Sequence, residues 1–264
     1  MQAFGTRLLA ELRGDRVIWV IVLLLSVLSV LTVYSSTGTL AFRRGMGTEG
    51  YLIQHIAFIV GGLFVTYICY LLHYTQYSRM APFLLLICIP LLMYTLAAGT
   101  EINDARRWIM IPIINKTFQT SDFAKLALII YVARVISSKQ EYIKDFKEAF
   151  LPIIVPILIV CGLIAPADLS TSLLLFVTCM LMMFVGRVHL LFIWYLIMGG
   201  VMLFAFLIVL ETIVPDIVRL ETWTSRIETF SNNPDGSEQV QQSKIAIARG
   251  GLTGVGPGNS IQRN

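Results

Sequence analysis

Long runs of apolar residues separated by short polar segments make up most of this chain. A helix that crosses a bilayer needs about 20 mostly apolar residues, and seven runs approach that length. The predicted helices are Val17–Tyr34, Ile56–Leu72, Ala81–Ala98, Phe123–Ile136, Leu151–Ala165, Thr171–Gly186 and Leu190–Leu210. The first is too long, and is followed by too many others, to be a cleaved signal peptide. The pattern predicts an all-α fold, a polytopic bundle of transmembrane helices.

Composition agrees with a membrane protein. Of the 264 residues, 56% are hydrophobic and 14% are charged, whereas a soluble domain carries about 25% charged residues. The net charge of +4 gives no electrostatic support for nucleic-acid binding. It fits loops that face membrane lipid with anionic headgroups.

Cysteine and histidine placement gives no sign of a metal site. The four cysteines lie in apolar runs without Cys-x-x-Cys spacing, so we interpret them as small packing residues. The three histidines are too scattered for a metal cluster. These residues are Cys69, Cys88, Cys161 and Cys179, and His55, His73 and His189.

Basic residues in short loops indicate the orientation, because they are enriched on the cytoplasmic side. With the N-terminus inside, the cytoplasmic segments hold Arg7, Arg13, Arg16, Arg79, Lys139, Lys144, Lys147 and Arg187, and the outer loops hold Arg43, Arg44, Arg106, Arg107 and Lys116. The count favours an inside N-terminus, with one membrane domain over 1–264. Residues 211–241 then form a large extracellular loop. The glycine-rich tail stops without a closing helix, so we expect a fragment.

Two adjacent arginines beside a tryptophan stand out in the predicted loop after the third helix. Arg106 and Arg107 precede Trp108. Guanidinium groups bind phosphate in bidentate fashion, so the segment is a candidate for substrate binding. The alternative is ordinary anchoring at the membrane interface.

Charges also lie at the start of the fourth helix. Thr120 or Ser121 can cap this helix, with Asp122 in its first turn. Lys125 lies three residues on and shares a face with Asp122. The alternative for Lys125 is a side chain that extends its head to the interface.

Asp168 is the only acid between Glu148 and Glu211, and it lies at a proline break between two apolar helices. Charges inside membranes pair with one another or line a site. We therefore predict an internal pair between Lys125 and Asp168, with Asp122 beside it, that holds the helices in register.

Four blocks of residues together resemble the SEDS family of peptidoglycan polymerases. They are Ala105-Arg106-Arg107-Trp108-Ile109, Phe118-Gln119-x-Ser121-Asp122-x-Ala124-Lys125, Asp168-Leu169-Ser170-Thr171, and the run from Gln242-Ser243-Lys244 to Gly258-Asn259-Ser260-x-Gln262. Asp122 stands where the family has glutamate, and Ser170 where it has glycine. The final block is more similar to the division-type member FtsW than to the elongation-type member RodA.

The resemblance implies a fold of roughly ten helices, of which about seven are present. It implies a glycosyltransferase that polymerises lipid II at the outer face of the bacterial cytoplasmic membrane, at the division septum. Its partners would be a class B penicillin-binding protein and other divisome proteins. A lipid II transporter and a RodA-like polymerase for cell shape are the alternatives. A seven-helix receptor or scaffold would leave the four blocks unexplained.

The resemblance also places an essential aspartate on the large loop, ahead of the Gln-Ser block. Asp235 is nearest to that position, with Glu238 as the fallback, and a carboxylate there can take the proton of the attacking hydroxyl. Arg106 and Arg107, or a divalent cation (Mg²⁺ or Mn²⁺), would stabilise the leaving pyrophosphate, although the sequence defines no metal site. The substrate-binding candidates are Arg106, Arg107, Trp108, Gln242, Ser243, Lys244, Asn259 and Ser260.

Overall fold

The computed structural model describes residues 15–36, 48–102, 105–111, 116–213, 238–251 and 254–256. Its elements are α1 (Arg16–Ser36), α2 (Thr48–Leu71), α3 (Tyr74–Ala98), β1 (Thr100–Ile102), β2 (Ala105–Ile111), β3 (Lys116–Gln119), α4 (Thr120–Ser138), α5 (Leu151–Ile164), α6 (Leu169–Val185), α7 (Leu190–Ile213) and α8 (Glu238–Gly250). A 3-10 turn (Gln140–Tyr142) and a π-helical turn (Phe146–Phe150) join α4 to α5. Each predicted span corresponds to one of the helices α1 to α7, so the predicted all-α polytopic fold is confirmed.

Helix length and surface composition agree with membrane insertion. Within the described ranges, four helical segments are long and apolar enough to cross a bilayer: Arg16–Ser35, Glu49–Leu71, Tyr74–Ala98 and Phe146–Ile164. Large apolar side chains such as Phe83, Leu174 and Trp194 are exposed on the helices. A soluble surface does not carry exposed apolar area on this scale. The chain is therefore a multi-pass membrane protein.

The chain folds as two compact units, Met1–Leu71 with Ser225–Asn264, and Leu72–Thr224. In the first unit α1 packs on α2, where the Trp19 and Tyr70 rings meet edge to face with centroids 5.7 Å apart. The single domain over 1–264 stays a prediction. The predicted extracellular loop, 211–241, begins in α7 and ends in α8, and residues 214–237 lie outside the described part of the chain.

The core of the second unit lies where α3, α4, α5 and α6 meet. On α4 the buried apolar positions recur three or four residues apart, which places them on one helix face. They are Ala124, Ala127, Leu128, Val132, Val135 and Ile136. Small residues on such a face let membrane helices approach closely. As predicted, Cys88, Cys161 and Cys179 are buried in this core, whereas Cys69 is exposed on α2.

The segment between α3 and α4 forms a three-stranded antiparallel sheet in the order β1-β2-β3, where the sequence predicted only a loop. In the β2–β3 pair Trp108 lies opposite Gln119 and Ile109 opposite Phe118. The aromatic and β-branched residues of β2 favour a strand. The sheet is a small addition to the helical fold, and it brings Arg106 and Arg107 to the ends of the helices.

Helix α4 begins differently from the prediction. Its N-cap is Gln119, which makes no capping hydrogen bond through its side chain, so the capping role given to Thr120 or Ser121 is wrong. Because β3 runs directly into α4, Gln119 keeps an extended backbone and the two hydroxyl residues become the first, buried residues of the helix. Asp122 lies in the first turn, as predicted.

At the end of the second unit away from the sheet, loops and helix ends are joined by hydrogen bonds and an ion pair. Pro82 has no N–H to donate to the Ser78 carbonyl, and the Arg134 guanidinium of α4 donates to that carbonyl instead. The Lys139 Nζ and Glu148 Oε2 atoms are 3.6 Å apart. Gln140 Nε2 donates to the Gly186 carbonyl at 3.2 Å. These contacts join α3, α4 and the two connections on either side of α5 and α6.

Candidate functional site

A small recess opens where β2 meets the end of α3, the start of α4 and the turn between α5 and α6. It is lined by Leu92, Thr95, Leu96, Arg106, Arg107, Thr120, Ser121, Leu163, Ile164, Ala167 and Asp168. Its cavity volume is about 20 Å³, which is room for about one water molecule. The recess therefore fits one oxygen atom or one water, and any larger ligand would lie across its mouth.

Arg107 joins β2 to the turn between α5 and α6. Its NH1 atom lies 3.0 Å from Asp168 Oδ2, and its Nε donates to the Ala167 carbonyl at 2.8 Å. The other carboxylate oxygen of Asp168 accepts from the Thr171 N–H at 3.1 Å and so caps α6. With the Asp168 side chain only 15% exposed, both of its oxygens are engaged within the protein. Asp168 thus holds Arg107 in place.

The predicted pair between Lys125 and Asp168 is wrong. Lys125 Nζ lies 2.6 Å from Asp122 Oδ1, within the first turns of α4, and Asp168 pairs with Arg107. The lysine takes the partner three residues away on its own helix because that carboxylate is within direct reach. The aspartate takes the arginine that the sheet brings to it.

Arg106 and Trp108 flank Arg107 on β2. Successive strand residues point to opposite faces, which agrees with Arg106 being exposed where Arg107 is partly buried. Arg106 also borders the recess. Trp108 is partly buried, and its carbonyl accepts from Thr100 Oγ1 at 3.0 Å. Two guanidinium groups, the Asp168 carboxylate and the N-terminus of α4 therefore line one recess. Guanidinium groups and helix N-termini are groups that bind anions.

Hydroxyl groups complete the recess, and no pattern in the sequence predicts them there. Thr95 Oγ1 lies 2.8 Å from the Leu91 carbonyl and 3.0 Å from Thr120 Oγ1. Since a hydroxyl has one proton, Thr95 donates to Leu91 and accepts from Thr120. Ser121 Oγ accepts from Gln119 Nε2 at 3.0 Å. The only signal for Thr95 in the sequence is a threonine near the end of an apolar helix, which is a common occurrence.

The other predicted site residues belong to the first unit or lie outside the described ranges. Gln242, Ser243 and Lys244 lie on α8, and Glu238 is its exposed first residue. Asp235, Asn259 and Ser260 fall outside the described residues. Among the side chains that can be described, no three of His, Cys, Asp or Glu group together to hold a metal ion.

Comparison with known proteins gives a consistent family. The chain matches the model of the FtsW/RodA/SpoVE family, described as "Cell cycle protein", over residues 15–264. It is 29% identical to the "Probable peptidoglycan glycosyltransferase FtsW" of Aliivibrio salmonicida, over 81% of this chain and 52% of that protein. It is 30% identical to the protein of the same name from Trichlorobacter lovleyi, over 94% of this chain and 64% of that protein.

A solved structure shares the fold. It comes from work on "Structural coordination of polymerization and crosslinking by a peptidoglycan synthase complex", and the match has a TM-score of 0.60 at 22% identity. The match covers 88% of this chain and 65% of that chain. The present chain thus spans about half to two thirds of the length of these relatives.

Proposed function

The chain belongs to the FtsW/RodA/SpoVE family of cell cycle proteins, and from this membership we propose that the whole protein is a peptidoglycan glycosyltransferase. It would polymerise lipid II into glycan strands at the outer face of the bacterial cytoplasmic membrane. The family match over residues 15–264 carries the proposal. The name FtsW borne by the curated relatives supports the division-type role at the septum over the RodA-like alternative.

The recess supplies the charge that such a reaction needs. When the acceptor hydroxyl attacks the donor sugar, negative charge grows on the departing lipid pyrophosphate. Donors already fixed in position stabilise that charge without reorganising. Arg107 is fixed by Asp168 and the Ala167 carbonyl, and Arg106 borders the same recess. The pyrophosphate would lie across the mouth, with one oxygen inside.

The proton of the attacking hydroxyl needs a base, and Asp235 is the proposed one. It stands three residues before α8, whose first residue is the fallback Glu238. Gln242 lies four residues after Glu238 and so on the same helix face. Gln242, Ser243 and Lys244, together with Trp108, Asn259 and Ser260, stay proposed substrate-binding residues.

The described residues of the recess do not fit a divalent cation. Asp168 is the only carboxylate among the described lining residues, and both of its oxygens are engaged. A Mg²⁺ or Mn²⁺ ion would need carboxylate oxygens that remain available.

Replacement of Asp235 tests the proposed base. The full-length protein, purified with its class B penicillin-binding partner, would be given lipid II and its glycan strands measured by gel. Asp235→Ala is expected to lower strand synthesis by at least about 100-fold, the usual contribution of a general base. Asp216→Ala, in the same polar segment, is the matched control and is expected to leave synthesis unchanged. Full activity of Asp235→Ala together with loss in Glu238→Ala would move the base to Glu238.

Lipid II transport is the competing proposal, and reconstituted vesicles separate the two. Its support was a charged pair between Lys125 and Asp168 inside the membrane, and these residues instead take separate partners. Strand formation without movement of labelled lipid II between leaflets supports the enzyme. Movement of lipid II without strand formation would contradict it.

A further inference from the structure

The end of the second unit opposite the recess carries an excess of positive charge. Thr95 and Thr120 meet at the recess, whereas Arg134 contacts Ser78 and Arg79 at the other ends of the same two helices. Thr95 and Ser78 are 17 residues apart on α3 (95 − 78), so the two sets of contacts lie about 25 Å apart along the helix. Residues 73–80, 134–150 and 186–190 at this far end hold six lysines and arginines against three acids.

Part of this charge is neutralised within the protein, and part is not. Arg134 donates to backbone carbonyls, and Lys139 pairs with Glu148. Lys144, Lys147 and Arg187 are exposed, and within the described residues none of them forms an ion pair with an acid. Glu141 and Asp145 are exposed at the same end, so these three cations leave a small net positive charge on the surface.

Arg187 keeps this position at a cost in backbone strain. Its φ of 63° makes it the only non-glycine residue with a positive φ in the described part of the chain. It follows the C-cap Gly186 at the end of α6, where glycine is the usual and relaxed choice. A strained residue that persists at such a position points to a use for its side chain.

Aromatic side chains lie beside the lysines. Tyr142 is 59% and Phe146 50% exposed, on either side of Lys144. Phe146 is nevertheless fixed, because its ring packs against Phe192 of α7 with centroids 5.5 Å apart. Half-exposed aromatic rings next to basic residues at the ends of membrane helices are typical of the headgroup level of a bilayer.

We propose that this surface, formed by Lys144, Lys147, Arg187, Tyr142 and Phe146 and called here the basic face, binds the phosphodiester headgroups of anionic phospholipids. The net positive charge selects negative headgroups, and the two rings enter the boundary between headgroups and acyl chains. An acidic protein would also meet the charge, but the rings lie where the apolar helices end, which favours lipid. The proposal concerns a different end of the molecule from the recess and does not rest on the glycosyltransferase activity.

Titration with a short-chain lipid tests the basic face. The full chain in neutral detergent would be titrated with dioctanoyl phosphatidylglycerol, and lipid binding followed by native mass spectrometry and by the unfolding temperature. Each basic side chain is expected to contribute about fivefold to affinity. The triple variant K144Q/K147Q/R187Q should therefore bind on the order of 100-fold more weakly. Lys116→Gln, on β3 at the other end, is the control and should bind as the unmodified chain does.

One further variant and one further lipid separate loss of lipid binding from loss of stability and from binding that does not depend on headgroup charge. Arg187→Gly relieves the left-handed backbone, so its unfolding temperature without lipid should not fall, while its affinity for phosphatidylglycerol drops. Dioctanoyl phosphatidylcholine should give no saturable binding. Equal phosphatidylglycerol affinity in the triple variant and the unmodified chain would overturn the proposal, and so would equal affinity for the two lipids.

Discussion

At the scale of single residues, Arg107 and Asp168 decide the geometry of the recess. Their side chains form an ion pair at 3.0 Å. Arg107 also donates to the Ala167 carbonyl in the turn between α5 and α6, and Asp168 accepts from the Thr171 N–H in the first turn of α6. A charge that is largely buried costs several kcal/mol when its partner is removed, because it stays desolvated without compensation. The two side chains should therefore behave as one unit in stability measurements.

A double-mutant cycle measures this coupling. Arg107→Met and Asp168→Asn are each expected to lower the free energy of unfolding by about 2–3 kcal/mol. The double variant should lose about 1–3 kcal/mol less than the sum of the two. Thermal unfolding in detergent provides the measurement. Asp122→Asn is the control, since its carboxylate is 59% exposed and its pair should contribute less than about 1 kcal/mol. An equally small effect of Asp168→Asn would show that the ion pair does not hold the recess together.

The partners of these charges could not be read from the sequence. The rarity of charges among apolar residues led to the prediction that Lys125 and Asp168 form an internal pair. Their pairing depends on where the sheet places Arg107, about sixty residues before the turn that it contacts. A local sequence pattern gives no information on contacts between residues this far apart in the chain, and the partner predicted for Asp168 was therefore wrong.

At the scale of elements, Arg134 of α4 supplies a hydrogen bond that α3 lacks because residue 82 is proline. Proline removes the N–H that would bond to the Ser78 carbonyl, and a carbonyl left unbonded in an apolar environment costs about 1–3 kcal/mol. The guanidinium of α4 takes that place. The bond is therefore needed only while residue 82 is proline.

A second cycle tests this dependence. Arg134→Met is expected to lower the free energy of unfolding by about 1–3 kcal/mol. In a Pro82→Ala background the same change should have a much smaller effect, because the new N–H can bond to Ser78 within α3. Arg79→Met, which removes an exposed neighbouring arginine, serves as the control and should change stability by less than about 0.5 kcal/mol. Equal losses in both backgrounds would mean that Arg134 does not act on the carbonyl freed by proline.

Helices and strands differed in how far the sequence revealed them. A membrane helix satisfies its own backbone, so seven local apolar runs were enough to predict α1 to α7. The strands have three, seven and four residues, and they exist because they pair with one another. Strand preference is dominated by such non-local context. The charges of β2 were visible in the sequence, but its pairing with β1 and β3 was not.

At the scale of the whole molecule, the candidate residues are divided between the two units of the chain. Arg106 and Arg107 belong to the second unit, whereas α8 with Glu238 and Gln242–Lys244 belongs to the first. The four sequence blocks were enough to predict the family, because their order and spacing can be read from the sequence alone. They could not predict the geometry of the recess, because its lining residues come from three helices, one strand and the turn between α5 and α6.

The orientation of the whole bundle links the recess to the proposed reaction. The basic residues predict that the basic face lies in the cytoplasm, and the recess at the opposite end then faces outward, where lipid II polymerisation is proposed. Lys144→Cys and Thr117→Cys place thiols at these two ends, where both residues are exposed. Both would be made in a Cys69→Ser background, because Cys69 is exposed while Cys88, Cys161 and Cys179 are buried.

A membrane-impermeant maleimide applied to intact spheroplasts should label Thr117→Cys and leave Lys144→Cys unlabelled until the membrane is permeabilised. Labelling by mass shift on a gel is the readout, and the Cys69→Ser chain alone gives the background. The reverse pattern would place the recess on the cytoplasmic side. It would contradict the outer-face reaction even if the purified protein made glycan strands, because the arginines would then face the leaflet opposite to the one where polymerisation is proposed.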